Sequence, residues 1–223
     1  MLAPLLAAAL AFTPAPLPLA TFDGEPSDKK WSVMNDPVMG GQSHSSLSMS
    51  EGFGSFRGKC AIVPFLHAPG FCQMSTTHGL FAEPNFKDAS AYIDGALYLT
   101  VRSAEAYSGF KVSFTAKHAK RPGGGGIHHA GPSFKADFNV VPGSQFRTVR
   151  VPFSSFSVDW SEYTGKCDSK DPDGVQHHCC SPEHPEVCAT AQHLSEITGI
   201  SLWAEGVEGD FHLDVAFIGA GPK

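Results

Sequence analysis

The sequence has no sustained helical period. Apolar residues nowhere recur at i, i+3, i+4 and i+7 over several turns, which excludes a helical bundle or an α/β fold as the main architecture. It has no basic excess either. The 16 Lys and Arg stand against 22 Asp and Glu, a formal charge of −6. A general nucleic-acid or anionic-membrane surface needs a basic footprint, so both are argued against. There is no internal repeat. Beyond the first 20 residues no apolar run is long enough to cross a bilayer.

Catalytic signatures are missing as well. There is no G-x-S-x-G elbow and no cofactor fingerprint. The run Gly123–Gly126, followed by His128 and His129, has no Lys-Ser/Thr after it and no following helix, so it reads as a hairpin loop rather than a phosphate cradle. Nothing in the sequence sets Asp36 with Glu205, or Asp210 with Asp214, across a cleft in the manner of a glycosidase pair. They read as solvated or turn carboxylates. The expectation is a protein that binds without turning over a substrate, with no cofactor and no resident metal.

What is present is strand alternation. Leu97, Leu99 and Val101 point one way against Tyr98, Thr100 and Arg102. Phe110, Val112 and Phe114 alternate with Lys111, Ser113 and Thr115, and Phe134, Ala136, Phe138 and Val140 with Lys135, Asp137 and Asn139. Val149 and Val151 continue the pattern. Residues 200–205 and 210–219 are expected to pair across the turn 205–209, with Phe211, Leu213, Val215 and Phe217 on one face. Residues 56–65 and 70–76 look like a hairpin around His67–Gly70. One short helix is expected at Ala189–Glu196. Eight or more short strands, 23 Gly and 17 Pro predict an all-β antiparallel sandwich or jelly roll.

Residues 1–20 carry no charged side chain and are mostly Leu, Ala and Pro. The prolines and the length speak against a membrane helix, and a secretory signal is expected, cleaved after Ala11 or after Ala20. The scarcity of Arg fits a mitochondrial presequence poorly. Phe12 directly after a cleavage site resembles the leaders of complex plastids, the alternative destination. The organisation expected is a leader over 1–20 and one domain over 21–223, with a cysteine-rich insert at about 160–188.

An even set of six cysteines in an exported chain suggests disulfides. Cys60 and Cys72 flank the expected hairpin and are expected to pair. Cys167, Cys179, Cys180 and Cys188 would close the insert with two bonds. Adjacent Cys179 and Cys180 rarely bond to each other, so each would take Cys167 or Cys188. Together with His177, His178 and His184 these cysteines could instead hold tetrahedral zinc, the competing reading.

The most distinctive string runs from Trp31 to Ser43. Asn35-Asp36-Pro37 initiates a turn, the Asp36 carboxylate can accept backbone N–H bonds, and Pro37 fixes φ. Gly40 and Gly41 permit positive φ or close approach. Val38 and Met39, held between them, are either a plug at a folded corner or an exposed contact. Trp203 is the other candidate contact residue.

That string resembles the signature of the complex I intermediate-associated protein 30 family: a Trp, then Asn-Asp-x-Val-Met-Gly-Gly-x-Ser. Trp31, Asn35, Asp36, Val38, Met39, Gly40, Gly41 and Ser43 match it. Phe56-Arg57-Gly58, Gly70-Phe71, the strand from Tyr92 to Arg102 and Val149–Phe156 resemble later family segments. The resemblance implies a galactose-binding-like jelly roll and a chaperone-like role in assembling NADH:ubiquinone oxidoreductase, with protein clients or membrane-complex subunits as partners. The signal-like leader and the insert depart from the family pattern. A secreted or lumenal carbohydrate-binding module is the alternative. Trp160, Tyr163 and Trp203 are the aromatic residues that could form its platform.

Overall fold

A computed structural model describes residues 15–23, 29–36, 40–66, 68–77, 86–122 and 132–223. The strands in chain order are β1 (Leu17–Thr21), β2 (Lys30–Asn35), β3 (His44–Ser50), β4 (Phe53–Cys60), β5 (Phe71–Thr77), β6 (Ala96–Arg102), β7 (Phe110–Ala116), β8 (Ser133–Asp137), β9 (Arg147–Pro152), β10 (Ile197–Glu205) and β11 (Gly209–Gly221). They form two antiparallel sheets. The first has the order β3-β4-β11-β6-β9, with β1 also paired to β11. The second has the order β2-β5-β10-β7-β8. Between them lies a core rich in phenylalanine. Phe56, Phe110, Phe114, Phe134, Phe153 and Phe156 are fully buried, and the Phe114 ring stacks on Phe134 at 5.2 Å and tilts against Phe156 at 5.3 Å. The molecule is the antiparallel β-sandwich, of jelly-roll type, that the alternation predicts.

Two local expectations are corrected. The two presumed hairpins are not hairpins. β4 belongs to the first sheet and β5 to the second, and β10 and β11 are divided in the same way. An alternating strand satisfies its apolar face equally by pairing with its successor or by packing across the core from it. Here the segments 61–70 and 206–208 carry the chain from one sheet to the other. Second, a register shift between Val215 and Phe217 turns β11 over. Ile218 and Ala220 take the inward positions, and Phe217 is only half-buried. Strand structure also reaches into residues 17–20. β1 lies along β11, with Leu19 and Ala20 buried. The helix is shorter than expected, Ala191–Ser195, and is closed by a capping box between Thr190 and His193.

Candidate functional site

The Trp31–Ser43 string builds a corner between the sheets. Asp36, buried at the end of β2, accepts three hydrogen bonds through its carboxylate. The Ser43 backbone N–H reaches Oδ1 at 2.8 Å, and the Ser43 hydroxyl and the Phe71 N–H reach Oδ2 at 2.7 and 3.0 Å. The Ser43 hydroxyl also accepts the Ala61 N–H at 3.0 Å. Asp36 thus ties the end of β2 to the entrance of β3 and the start of β5, and Ser43 adds the exit of β4. Gly40 has φ of 86°, and a Cβ on Gly41 would sit 2.2 Å from the Asp36 carboxyl carbon. Asn35 accepts the Ser45 hydroxyl at 2.6 Å, and Trp31 stacks on Phe22 at 5.5 Å. Asn35, Asp36, Gly40, Gly41 and Ser43 therefore meet at this corner, while Trp31 lies at the other end of β2. Pro37, Val38 and Met39 lie outside the described residues.

Exposed apolar side chains leave this corner on two segments. Val33 and Met34 precede Asp36 on β2, and Ile62 and Phe65 follow Ala61, with Phe65 76% exposed. The second pair was not legible from the residues alone, because 61–65 read as a continuation of β4.

Over β7 and β8 the outer face of the second sheet is covered by the chain itself. Neighbouring outward positions bring together Trp203, Lys111 and Asp137, and beside them Ser201, Ser113 and Lys135. Lys111, Ser113 and Lys135 are nevertheless buried. The insert covers them. Ser157 extends the sheet beyond β8 by exchanging backbone bonds with Lys135 at 2.8 and 3.1 Å. Trp160 then lies with its ring 4.9 Å from the Lys111 ammonium and 5.3 Å from that of Lys135. Lys135 sits 4.4 Å from the ring centre of Trp203 and 2.9 Å from the Glu205 carboxylate. Trp203 donates its indole N–H to Ser113 at 2.9 Å. Trp203 is half-buried beneath this lysine, and Trp160 is buried. Tyr163 remains exposed. A cleft of about 460 Å³ stays open between this sheet and the insert, with Lys111, Asp137, Asn139, Lys166, Asp168 and Glu205 among its lining residues.

Within the insert the cysteines form disulfides Cys167–Cys179 and Cys180–Cys188. Among the described residues no group of three or more His, Cys, Asp or Glu side chains is arranged to hold a metal ion. His177, flagged in the sequence only as a soft ligand, instead bridges two aspartates. Its Nδ1 is 2.7 Å from Asp159 and its Nε2 2.8 Å from Asp171, all three buried. Burial lowers its pKa, yet the hydrogen bonds and charges of Asp171 and Asp159 outweigh this and hold it above the usual histidine value.

The expected Cys60–Cys72 bond is absent. Both are free, buried thiols. They end β4 and begin β5 on opposite sheets. Cys60 Sγ lies 3.3 Å from the Gly70 carbonyl and Cys72 Sγ 3.7 Å from that of Lys59. Burial raises both thiol pKa values, that of Cys72 to about 12, so both are protonated and poor nucleophiles. Of the carboxylates considered in the sequence, Asp36, Glu205 and Asp214 are buried and partnered rather than solvated, and Asp210 is exposed. Asp214 holds Arg102 and His212, both at 2.7 Å, and Glu205 holds Lys135.

Fold and corner together define an antiparallel jelly-roll sandwich with a carboxylate-pinned inter-sheet corner. The family model for Complex I intermediate-associated protein 30 matches residues 20–170, and the chain belongs to that family. No curated protein matches the chain. Among solved structures it is similar to the family 11 carbohydrate-binding module of the cellulosomal cellulase Lic26A-Cel5E of Clostridium thermocellum. That match has a TM-score of 0.51 and 12% identity, and covers 93% of this chain and 95% of the module. It is also similar to an exo-β-agarase, at TM-score 0.50 and 12% identity, covering 93% of this chain and 25% of that one. The agarase AgWH50C matches at TM-score 0.50 and 16% identity, over 92% of this chain and 24% of the enzyme. The chain thus spans about a quarter of the agarases it resembles. At these identities the likeness concerns the fold alone.

Proposed function

We propose that the chain is a non-catalytic, chaperone-like protein-binding domain that assists assembly of a membrane complex, working in an oxidising lumen or outside the cell. Family membership supports the assembly role. The observation that carries the mode of action is the corner. Asp36 and Ser43 make it rigid, and exposed Met34, Ile62 and Phe65 flank it. A rigid scaffold beside exposed apolar side chains is what transient capture of an unassembled subunit requires. Val38 and Met39 extend the same proposed contact. Trp203, with Lys135 over its ring, does not. Two disulfides favour an oxidising compartment. The carbohydrate-binding alternative needs an accessible aromatic platform, and it is less favoured because Trp160 is buried and Lys135 lies over Trp203.

The test is affinity capture from the native compartment with the wild type, Phe65→Ser and Met39→Ala. The expected result is recovery of membrane-complex subunits by the wild type, and loss of capture by both variants at unchanged melting temperature. A positive glycan array with no client recovered would reject the assembly reading. Turnover of a glycoside or ester, abolished by one carboxylate or serine substitution in a still-folded protein, would reject the non-catalytic one.

A further inference from the structure

We infer that the half of the insert from Trp160 to His178 is a cover latched over the outer face of the second sheet by the His177 proton, and that alkalinisation releases it. The geometry itself demands the charge. Both ring nitrogens of His177 face carboxylate oxygens, Asp159 at 2.7 Å and Asp171 at 2.8 Å. With both aspartates ionised, two such contacts need two N–H donors, which only the imidazolium has. The remaining carboxylate oxygens are also engaged. The His178 N–H reaches Asp159 at 2.9 Å, and the Ser161 hydroxyl donates to Asp171.

The position of His177 makes it a latch. Both disulfides lie within 167–188, so they hold the insert's own shape and do not bond it to the sandwich. Asp159 lies at the root, next to Trp160, whose ring meets Lys111 and Lys135 of the sheet. Asp171 and His177 belong to the disulfide-closed loop. The imidazolium joins loop to root, and with them the wall of the cleft over Lys111 and Glu205. The charged groups against the ring are Asp159 and Asp171. His178 turns its own ring onto His184 at 3.7 Å, while Lys111, Lys135 and Glu205 engage Asp137, Trp160 and one another.

The sign follows. His177 is more basic folded than unfolded. Its stabilisation is complete below the unfolded value of about 6.5 and disappears as pH rises through the higher folded value. A neutral ring can donate to one aspartate only, and the other then faces a lone pair.

The full-length oxidised protein is followed by hydrogen exchange, corrected for intrinsic rates, on peptides covering 158–178 between about pH 6 and about pH 9. Wild type is expected to lose about tenfold or more of its protection there, while peptides of β6 and β11 stay protected. His177→Gln should be weakly protected at every pH. Asp171→Asn, which leaves one carboxylate, should move the step to lower pH. Constant protection in the wild type overturns the inference, as does the same step in His177→Gln. If His177→Gln does not fold, the wild-type His177 resonance decides: its titration must coincide with the exchange step. This test does not depend on which partner the protein binds.

Discussion

The Lys135 ammonium lies 4.4 Å from the ring centre of Trp203 while also meeting Glu205 at 2.9 Å. A lysine of the chain thus occupies an aromatic face on which a ligand would have to stack. Removing it leaves the buried Glu205 carboxylate without its ion-pair partner. Lys135→Ala should therefore cost roughly 3–5 kcal/mol. The double variant Lys135→Ala, Glu205→Gln should cost clearly less, because no uncompensated charge remains. Urea unfolding of the three proteins measures this. Equal losses in the single and double variants would show that the ion pair is not what holds the site.

A second prediction concerns the corner. Asp36→Ala removes the acceptor for the Ser43 N–H, the Ser43 hydroxyl and the Phe71 N–H, all at a buried site. The expected cost is about 2–4 kcal/mol. In a domain of this size each kcal/mol lowers the melting temperature by about 2–4 °C. Gly40→Val should add about 1–3 kcal/mol of backbone strain at φ of 86°. Gly41→Ala should match Asp36→Ala, since its Cβ would displace the Asp36 carboxylate. Calorimetry checks all three. A neutral Gly41→Ala would contradict the packing described.

The alternation in β6, β7 and β8 reported the strands correctly, because each turns an apolar face to the core and polar side chains the other way, and a period of two is written directly into sequence. The corner was legible for the same kind of reason. Asn-Asp-Pro and Gly-Gly have few conformational uses. The burial of Lys111, Ser113 and Lys135 on the outer face was not legible, because it comes from the distant insert. The pairing of β4 with β11, 149 or more residues away in sequence (Cys60 to Gly209), was not legible. An alternating strand does not name its partner, and the two connections taken for hairpin turns carry no mark of a sheet change. The Asp159–His177–Asp171 bridge was missed because its members stand 12 and 6 residues apart in an aperiodic loop. Cysteines nearby drew the histidine into a metal hypothesis instead. Cys60 and Cys72 were misjudged because two cysteines near a turn look alike whether their strands pair or face each other across a core.

The cysteines give a direct count. Oxidised protein unfolded in denaturant should show two reactive thiols, at Cys60 and Cys72, and peptide mapping should return Cys167–Cys179 and Cys180–Cys188. Reduction should cost about 2–4 kcal/mol per bond, with exchange protection lost first in 158–188. Finding no free thiol, or a Cys60–Cys72 peptide, would rule out the arrangement described.

The last prediction places the leader cleavage. Residues 1–20 read as a targeting segment, but β1 occupies Leu17–Thr21 and is hydrogen-bonded to β11 from Leu17↔Ala220 to Thr21↔Phe217. Leu19 and Ala20 are buried in the core. Cleavage after Ala20 would discard most of β1, expose about 1.5–3 kcal/mol of leucine burial and leave an unpaired edge on β11, which invites association with another chain. Cleavage after Ala11 keeps the strand whole. N-terminal sequencing of protein from its native compartment should therefore find a start between Phe12 and Pro16. A protein made to begin at Thr21 should melt at lower temperature and show more dimer by light scattering than one beginning at Phe12. A natural start at Thr21, with melting temperature and monomer fraction equal to the longer form, would mean that β1 is dispensable and that the folded domain begins after it.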